Sequence, residues 1–171
     1  IINSFINFLN AYGFNLKKIE SVKIPKRELR VVDYGEILKK IHEMNENDFE
    51  TLRNKLILLF LARTGIRASE LLNIKMNDIQ SDGGIIIRGK GNKERKVWIT
   101  GDVVDLLNRY LKLRDKVTKC DYLFVNVRGA RLGRTTIYMI VREILESLGI
   151  RKKLGPHHLR HAFATHLAGK T

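Results

Sequence analysis

Gly155-Pro156-His157-His158-Leu159-Arg160-His161-Ala162-Phe163 stands near the end of the chain, and its reading decides the fold. Proline suits the first turn of a helix, where its missing N–H costs nothing. His157 then lies at the helix start and Arg160 one turn on. Ninety residues earlier stands Thr64-Gly65-Ile66-Arg67-Ala68-Ser69-Glu70-Leu71. Gly65 ends an apolar helical run, and a short helix over Ala68 to Ile74 restarts after it. Between these two stretches lies Gly89-Lys90-Gly91-Asn92-Lys93-Glu94-Arg95. Ile85-Ile86-Ile87 precedes it as a buried strand, and Lys96 to Ile99 returns, so the glycines sit at a β-hairpin turn. Each stretch places a cation or an imidazole at a helix start or a hairpin tip.

The rest of the chain is mostly helical. Ile2, Phe5, Ile6, Phe8, Leu9 and Tyr12 repeat on one helical face. This segment, 1–16, is too short to fold alone and reads as the last helix of a preceding domain. Residues 17–32 are charged and broken by Pro25, the pattern of a linker. Lys23, Lys26 and Arg27 within it are candidate phosphate contacts, or equally the charges of a solvated tether. Asp33 with Glu36 forms a capping-box pattern and predicts a helix to about Glu46. Asp48 caps a second helix to Arg63. Asp102 caps a third to about Lys116. Tyr122 to Val125 reads as a short strand. Thr135 or Thr136 opens a helix that closes at Gly149. The expected fold class is mainly α with a small antiparallel β-sheet (α+β), with residues 33–171 as its main domain.

Charge narrows the function. The 171 residues carry 32 Lys and Arg against 18 Asp and Glu, a formal net charge of +14. That excess exceeds what solubility requires and favours a polyanionic partner, nucleic acid first. No basic amphipathic helix, lipidation signal or long apolar run points to a membrane. The single cysteine, Cys120, excludes an internal disulfide and fits a reducing cytoplasm. His157 and His161 have zinc spacing, but no third ligand accompanies them, and no metal or other cofactor is expected.

The residue types suit phosphate chemistry. Attack on a phosphodiester builds charge on two non-bridging oxygens, which guanidiniums hold with paired, charge-assisted bonds. A lysine on a glycine-flanked hairpin tip can protonate the leaving 5′ oxygen. A histidine at a helix start can bond a phosphate oxygen or help deprotonate a nucleophile. Taken singly, each has a plainer reading as a surface arginine, a solvated turn or a packed histidine. Occurring together in order, they do not.

In this combination the chain resembles the catalytic domain of the tyrosine recombinases, the lambda-integrase family, and is most similar to its Xer-type members. The strings T-G-x-R-x-S-E-L, G-K-G-x-K-x-R and P-H-x-L-R-H-x-F-A-T-H-L carry the resemblance, which runs from about Arg30 onward. It implies that Arg67, Lys90, His157 and Arg160 are catalytic and that Glu70 supports the arginines. Lys93 and Arg95 are candidate DNA contacts. The family places a His or Trp, and then the nucleophilic tyrosine, past Arg160. Tyr12, Tyr34, Tyr110, Tyr122 and Tyr138 do not match that position, so the nucleophile is expected outside these residues and the catalytic domain is expected to be incomplete. The implied reaction is site-specific cleavage and rejoining of DNA through a 3′-phosphotyrosyl intermediate, in chromosome dimer resolution or DNA integration. The implied partners are a double-stranded recombination site and a homotetramer. A DNA-binding fragment or regulator of the same fold, unable to cleave, is the alternative.

Overall fold

The computed structural model of the protein describes residues 2–17, 33–89, 91, 93–99, 101–150 and 155–169. Lys90, Lys23, Lys26 and Arg27 lie outside these residues. Seven helices and a two-stranded sheet are described: α1 (Ile2–Ala11), α2 (Tyr34–His42), α3 (Phe49–Thr64), α4 (Ala68–Leu72), β1 (Gly84–Arg88), β2 (Glu94–Trp98), α5 (Gly101–Val117), α6 (Arg134–Ser147) and α7 (Pro156–Ala168). The fold is thus mainly helical with one small antiparallel sheet.

Helix α3 is the hub. Leu52 and every residue from Lys55 to Ala62 are buried, because α2, α5, α6 and α7 surround it. Burial on every side over this run, which includes Leu56 to Ala62, is what a central position requires. Its start is fixed by Asp48, whose Oδ1 accepts from Glu50 N at 2.8 Å and Thr51 N at 2.9 Å. Asp33, expected to cap α2 in the same way, makes no side-chain cap bond. Its backbone (φ −59°, ψ 129°) differs from that of Asp48 (φ −133°, ψ 171°), and the carboxylate does not reach the first amides. Helix α2 also ends at His42 rather than near Glu46. Buried Lys55 explains this: its Nζ donates to the carbonyls of His42 and Met44 and to Glu46 Oε1, so the chain leaves the helix held by side-chain bonds.

Three other expectations are corrected. Asp102 is inside the first turn of α5, with Oδ2 accepting from Arg63 Nη2 at 2.7 Å. Residues 122–125 form only isolated bridges, not a strand. Their carbonyls still need donors; Leu132 N supplies Phe124 O at 3.0 Å, and side chains supply the others. Arg114 is 2% exposed and donates to the carbonyls of Leu123 (3.0 Å), Tyr122 (2.6 Å) and Cys120. Tyr110 Oη donates to Leu123 O at 3.1 Å, and Arg53 Nη1 donates to Val125 O at 3.2 Å. Helix α6 begins at Arg134, one residue ahead of the expected threonines.

In the hairpin, Ile85 faces Val97, Ile87 faces Arg95 and Arg88 faces Glu94. Ile85 and Ile87 are fully buried and anchor the sheet on the core. Gly89 N donates to Lys93 O at 2.8 Å and closes the stem.

Candidate active site

The site begins at the corner between α3 and α4. Gly65 ends α3 in the left-handed region (φ 60°), and Arg67 follows as the residue preceding α4. A side chain at 65 would collide with Phe163, since an added Cβ would lie 2.5 Å from Phe163 Cδ1. The glycine therefore lets α7 dock on this corner. Arg160, one helical turn before Phe163, donates through Nη1 to the Gly65 carbonyl. The consequence is that residues far apart in sequence share one surface. A cavity of about 310 Å³ is lined by Arg67, Ser69, Arg134, Tyr138, His157 and Arg160, among others.

Three of the four sequence-identified catalytic residues, Arg67, His157 and Arg160, thus meet in one place; the fourth, Lys90, lies outside the described residues. Arg134 and Tyr138 were not singled out as site residues. The Arg134 guanidinium sits 5.6 Å from the Tyr138 ring centroid, and Tyr138 also packs on Gly155 at the foot of α7. The available signal was Gly133-Arg134, a cation at a helix start, the same arrangement as the other strings.

Glu70 organises the basic cluster. Its side chain is 4% exposed, and both carboxylate oxygens are doubly engaged. Oε2 accepts from Arg67 N at 2.8 Å and Arg95 Nη2 at 2.7 Å. Oε1 accepts from Arg67 Nη1 at 3.0 Å and Arg95 Nη1 at 3.1 Å. Burial alone would raise the pKa of this carboxyl. The bonds from Arg95 and from the Arg67 backbone and side chain, with the charge of Arg95, outweigh it and bring the pKa down to about 2. Glu70 is therefore ionised at any working pH. Arg95, a candidate DNA contact, has its guanidinium on Glu70. Lys93 is exposed at the end of the stem.

A second cavity, about 380 Å³, is lined by Arg67, Ser69, Glu70, Asn73, Arg88 and Gly89. It shares Arg67 and Ser69 with the first, so the two cavities adjoin in a groove between α7 and the hairpin stem. The surface suits a phosphate chain: the Arg67 and Arg95 side chains are exposed and the Glu70 carboxylate they share is buried. Among the described residues no three His, Cys, Asp or Glu side chains group as metal ligands, and no helix is long and apolar enough to cross a membrane.

A profile of the phage integrase family matches residues 30–171. The chain belongs to that family. The tyrosine recombinase XerC of Thermodesulfovibrio yellowstonii is 33% identical over 178 residues, covering 97% of this chain and 59% of that protein. Tyrosine recombinase XerH of Campylobacter jejuni is 43% identical over 172 residues, covering 96% of this chain and 46% of XerH. Among solved structures, XerH bound to a palindromic difH substrate in a post-cleavage complex superposes with a TM-score of 0.75 at 33% identity, over 91% of this chain and 45% of that one. XerA superposes with a TM-score of 0.70 at 34% identity, over 99% and 60%. The fold is that of a Xer-type tyrosine recombinase catalytic domain. The chain spans about half the length of the curated relatives it matches.

Proposed function

We propose that these residues form the phosphate-activating part of a site-specific DNA recombinase that cleaves and rejoins strands through a 3′-phosphotyrosyl intermediate. One observation carries the reading: Arg67, His157 and Arg160 line a single exposed cavity although ninety residues separate the first from the others. Guanidiniums held there before substrate arrives stabilise the pentacoordinate phosphorus without reorganising. Such donors are typically worth about 3–4 kcal/mol each. Lys90 is proposed to protonate the leaving 5′ oxygen, and His157 to bond a non-bridging oxygen or help deprotonate the nucleophile. The attacking tyrosine is proposed to come from outside these 171 residues. The phosphotyrosyl bond keeps the energy of the phosphodiester, so rejoining needs no ATP.

Duplex DNA is the proposed substrate, held with the linker cations Lys23, Lys26 and Arg27 and with Lys93 at the hairpin. Residues 1–16 are proposed to end a core-binding domain, 17–32 to link it, and 33–171 to belong to the catalytic domain. Assembly as a tetramer on two sites, in the cytoplasm, for chromosome dimer resolution or DNA integration, completes the proposal. The test is a nicked suicide duplex incubated with the full-length protein, followed by a denaturing gel. A covalent adduct, with the labelled peptide mapping to a tyrosine, supports the reading. DNA binding without an adduct supports a non-cleaving binder instead. An adduct lost in Tyr138→Phe would place the nucleophile on α6.

A further inference from the structure

We infer that Arg95 is a positioning residue for Arg67: by sharing the buried Glu70 carboxylate it keeps the Arg67 guanidinium from closing on that carboxylate and leaves it directed at the groove. The inference rests on the recombinase reading of the site. It starts from an imbalance in how Glu70 is used. Arg95 binds it with a two-pronged grip, Nη2 to Oε2 at 2.7 Å and Nη1 to Oε1 at 3.1 Å. Arg67 binds it with a single side-chain nitrogen, Nη1 at 3.0 Å, plus its backbone amide. The forked geometry that arginine and carboxylate prefer is therefore taken by Arg95. Arg67 remains 60% exposed and lines both cavities.

Charge points the same way. Two guanidiniums on one carboxylate leave the cluster net positive, whereas Arg67 with Glu70 alone would be neutral. A neutral pair offers little field to a phosphate. A buried carboxylate stripped of one partner would recruit the other more fully, because an unpaired buried charge is costly. The strand register makes this arrangement possible. Arg95 faces Ile87, whose buried side chain ties β1 to the core. Arg88 fixes the stem a second time through Asp78 (2.5 Å) and Glu94 (2.9 Å). Gly89 passes beside the pair, an added Cβ there lying 3.4 Å from Glu70 Oε1 and 3.6 Å from Arg95 Nη1.

The test uses the full-length protein and the suicide duplex. Arg95→Gln should slow adduct formation by about 10- to 100-fold, the scale of a misplaced catalytic group, with duplex affinity changed by less than about threefold, as for a residue without a dominant phosphate contact. Two further readouts separate positioning from structural damage. Adding Glu70→Gln to Arg95→Gln should recover at least about fivefold of the lost rate, a coupling expected only of partners in one network. A methylphosphonate at the scissile position has no charge to neutralise, so Arg95→Gln should cleave it within about threefold of the wild-type rate. Arg95→Lys, which keeps the charge without the fork, should fall between. Affinity falling in step with cleavage would make Arg95 a DNA contact and overturn the inference. So would a double variant slower than Arg95→Gln, a methylphosphonate defect equal to the phosphodiester one, or an unchanged cleavage rate. If the wild-type protein forms no adduct, the recombinase reading fails and this inference with it; if it does, each of the other results bears on Arg95 alone.

Discussion

Replacing Glu70 by glutamine removes one charge from the centre of the site, and its effect can be worked out in advance. The carboxyl titrates near 4.5 when unconstrained and about 2 in the folded protein. At about 1.4 kcal/mol per pH unit, that difference corresponds to roughly 3 kcal/mol favouring the folded state when the group is ionised. Because the folded-state pKa is depressed, this stabilisation is complete above pH 4.5 and is lost as pH falls toward 2. Glu70→Gln should therefore be less stable than the wild type by about 2–3 kcal/mol at pH 7, since the amide cannot pair with two guanidiniums. The gap should close between pH 4.5 and pH 2. Other carboxylates, including Glu46 and Asp82, are also depressed by lysine and arginine partners, so both proteins weaken in acid. The difference between them isolates Glu70. Urea unfolding followed by circular dichroism across pH 2–7 measures it. Parallel stability curves, with a constant gap, would show that Glu70 does not hold the arginines as the structure has them.

Other consequences are as specific. Arg114→Met should cost about 3 kcal/mol in urea unfolding, because the carbonyls of Cys120 and Tyr122 lose a charged donor and Leu123 O keeps only Tyr110, at roughly 1–3 kcal/mol each, partly offset by no longer burying a charge. Gly65→Ala should cost more than about 1 kcal/mol in the same assay, from left-handed backbone strain and the Phe163 contact, and should slow adduct formation as α7 is displaced. The logarithm of duplex affinity, followed by fluorescence anisotropy, should fall steeply and linearly with the logarithm of salt concentration, as for a phosphate-dominated interface. Arg67→Ala and Arg160→Ala should abolish adduct formation while keeping most duplex binding in that assay.

The cations proposed to be catalytic were legible in sequence because each sits next to a backbone signal. Gly65 precedes Arg67, and Pro156 precedes His157 and Arg160, so local chemistry dictates where these side chains begin. The hub of the core was legible for a similar reason: α3 carries the apolar run Leu56 to Ala62 and is capped by Asp48. What sequence did not show depends on partners distant along the chain. Arg95 reads as a basic hairpin residue until strand register sets it over Glu70. Residues 122–125 read as a strand because they are apolar, yet Arg53, Tyr110 and Arg114 satisfy the carbonyls of Tyr122, Leu123 and Val125 instead. Asp33 and Asp48 carry similar capping patterns, and only the backbone angles distinguish the one that caps. Arg134 gained meaning only when α6 packed beside α7.

The central claim is that Arg67 and Arg160 converge on one scissile phosphate. A structure of the full-length protein with nicked duplex and vanadate trapped between the strand ends tests it directly. The account predicts both guanidiniums within about 3.5 Å of oxygens on the same vanadium, hydrogen-bond distance, with Glu70 still beneath Arg67. Guanidiniums bound to different phosphates, or turned from the vanadate altogether, would contradict it.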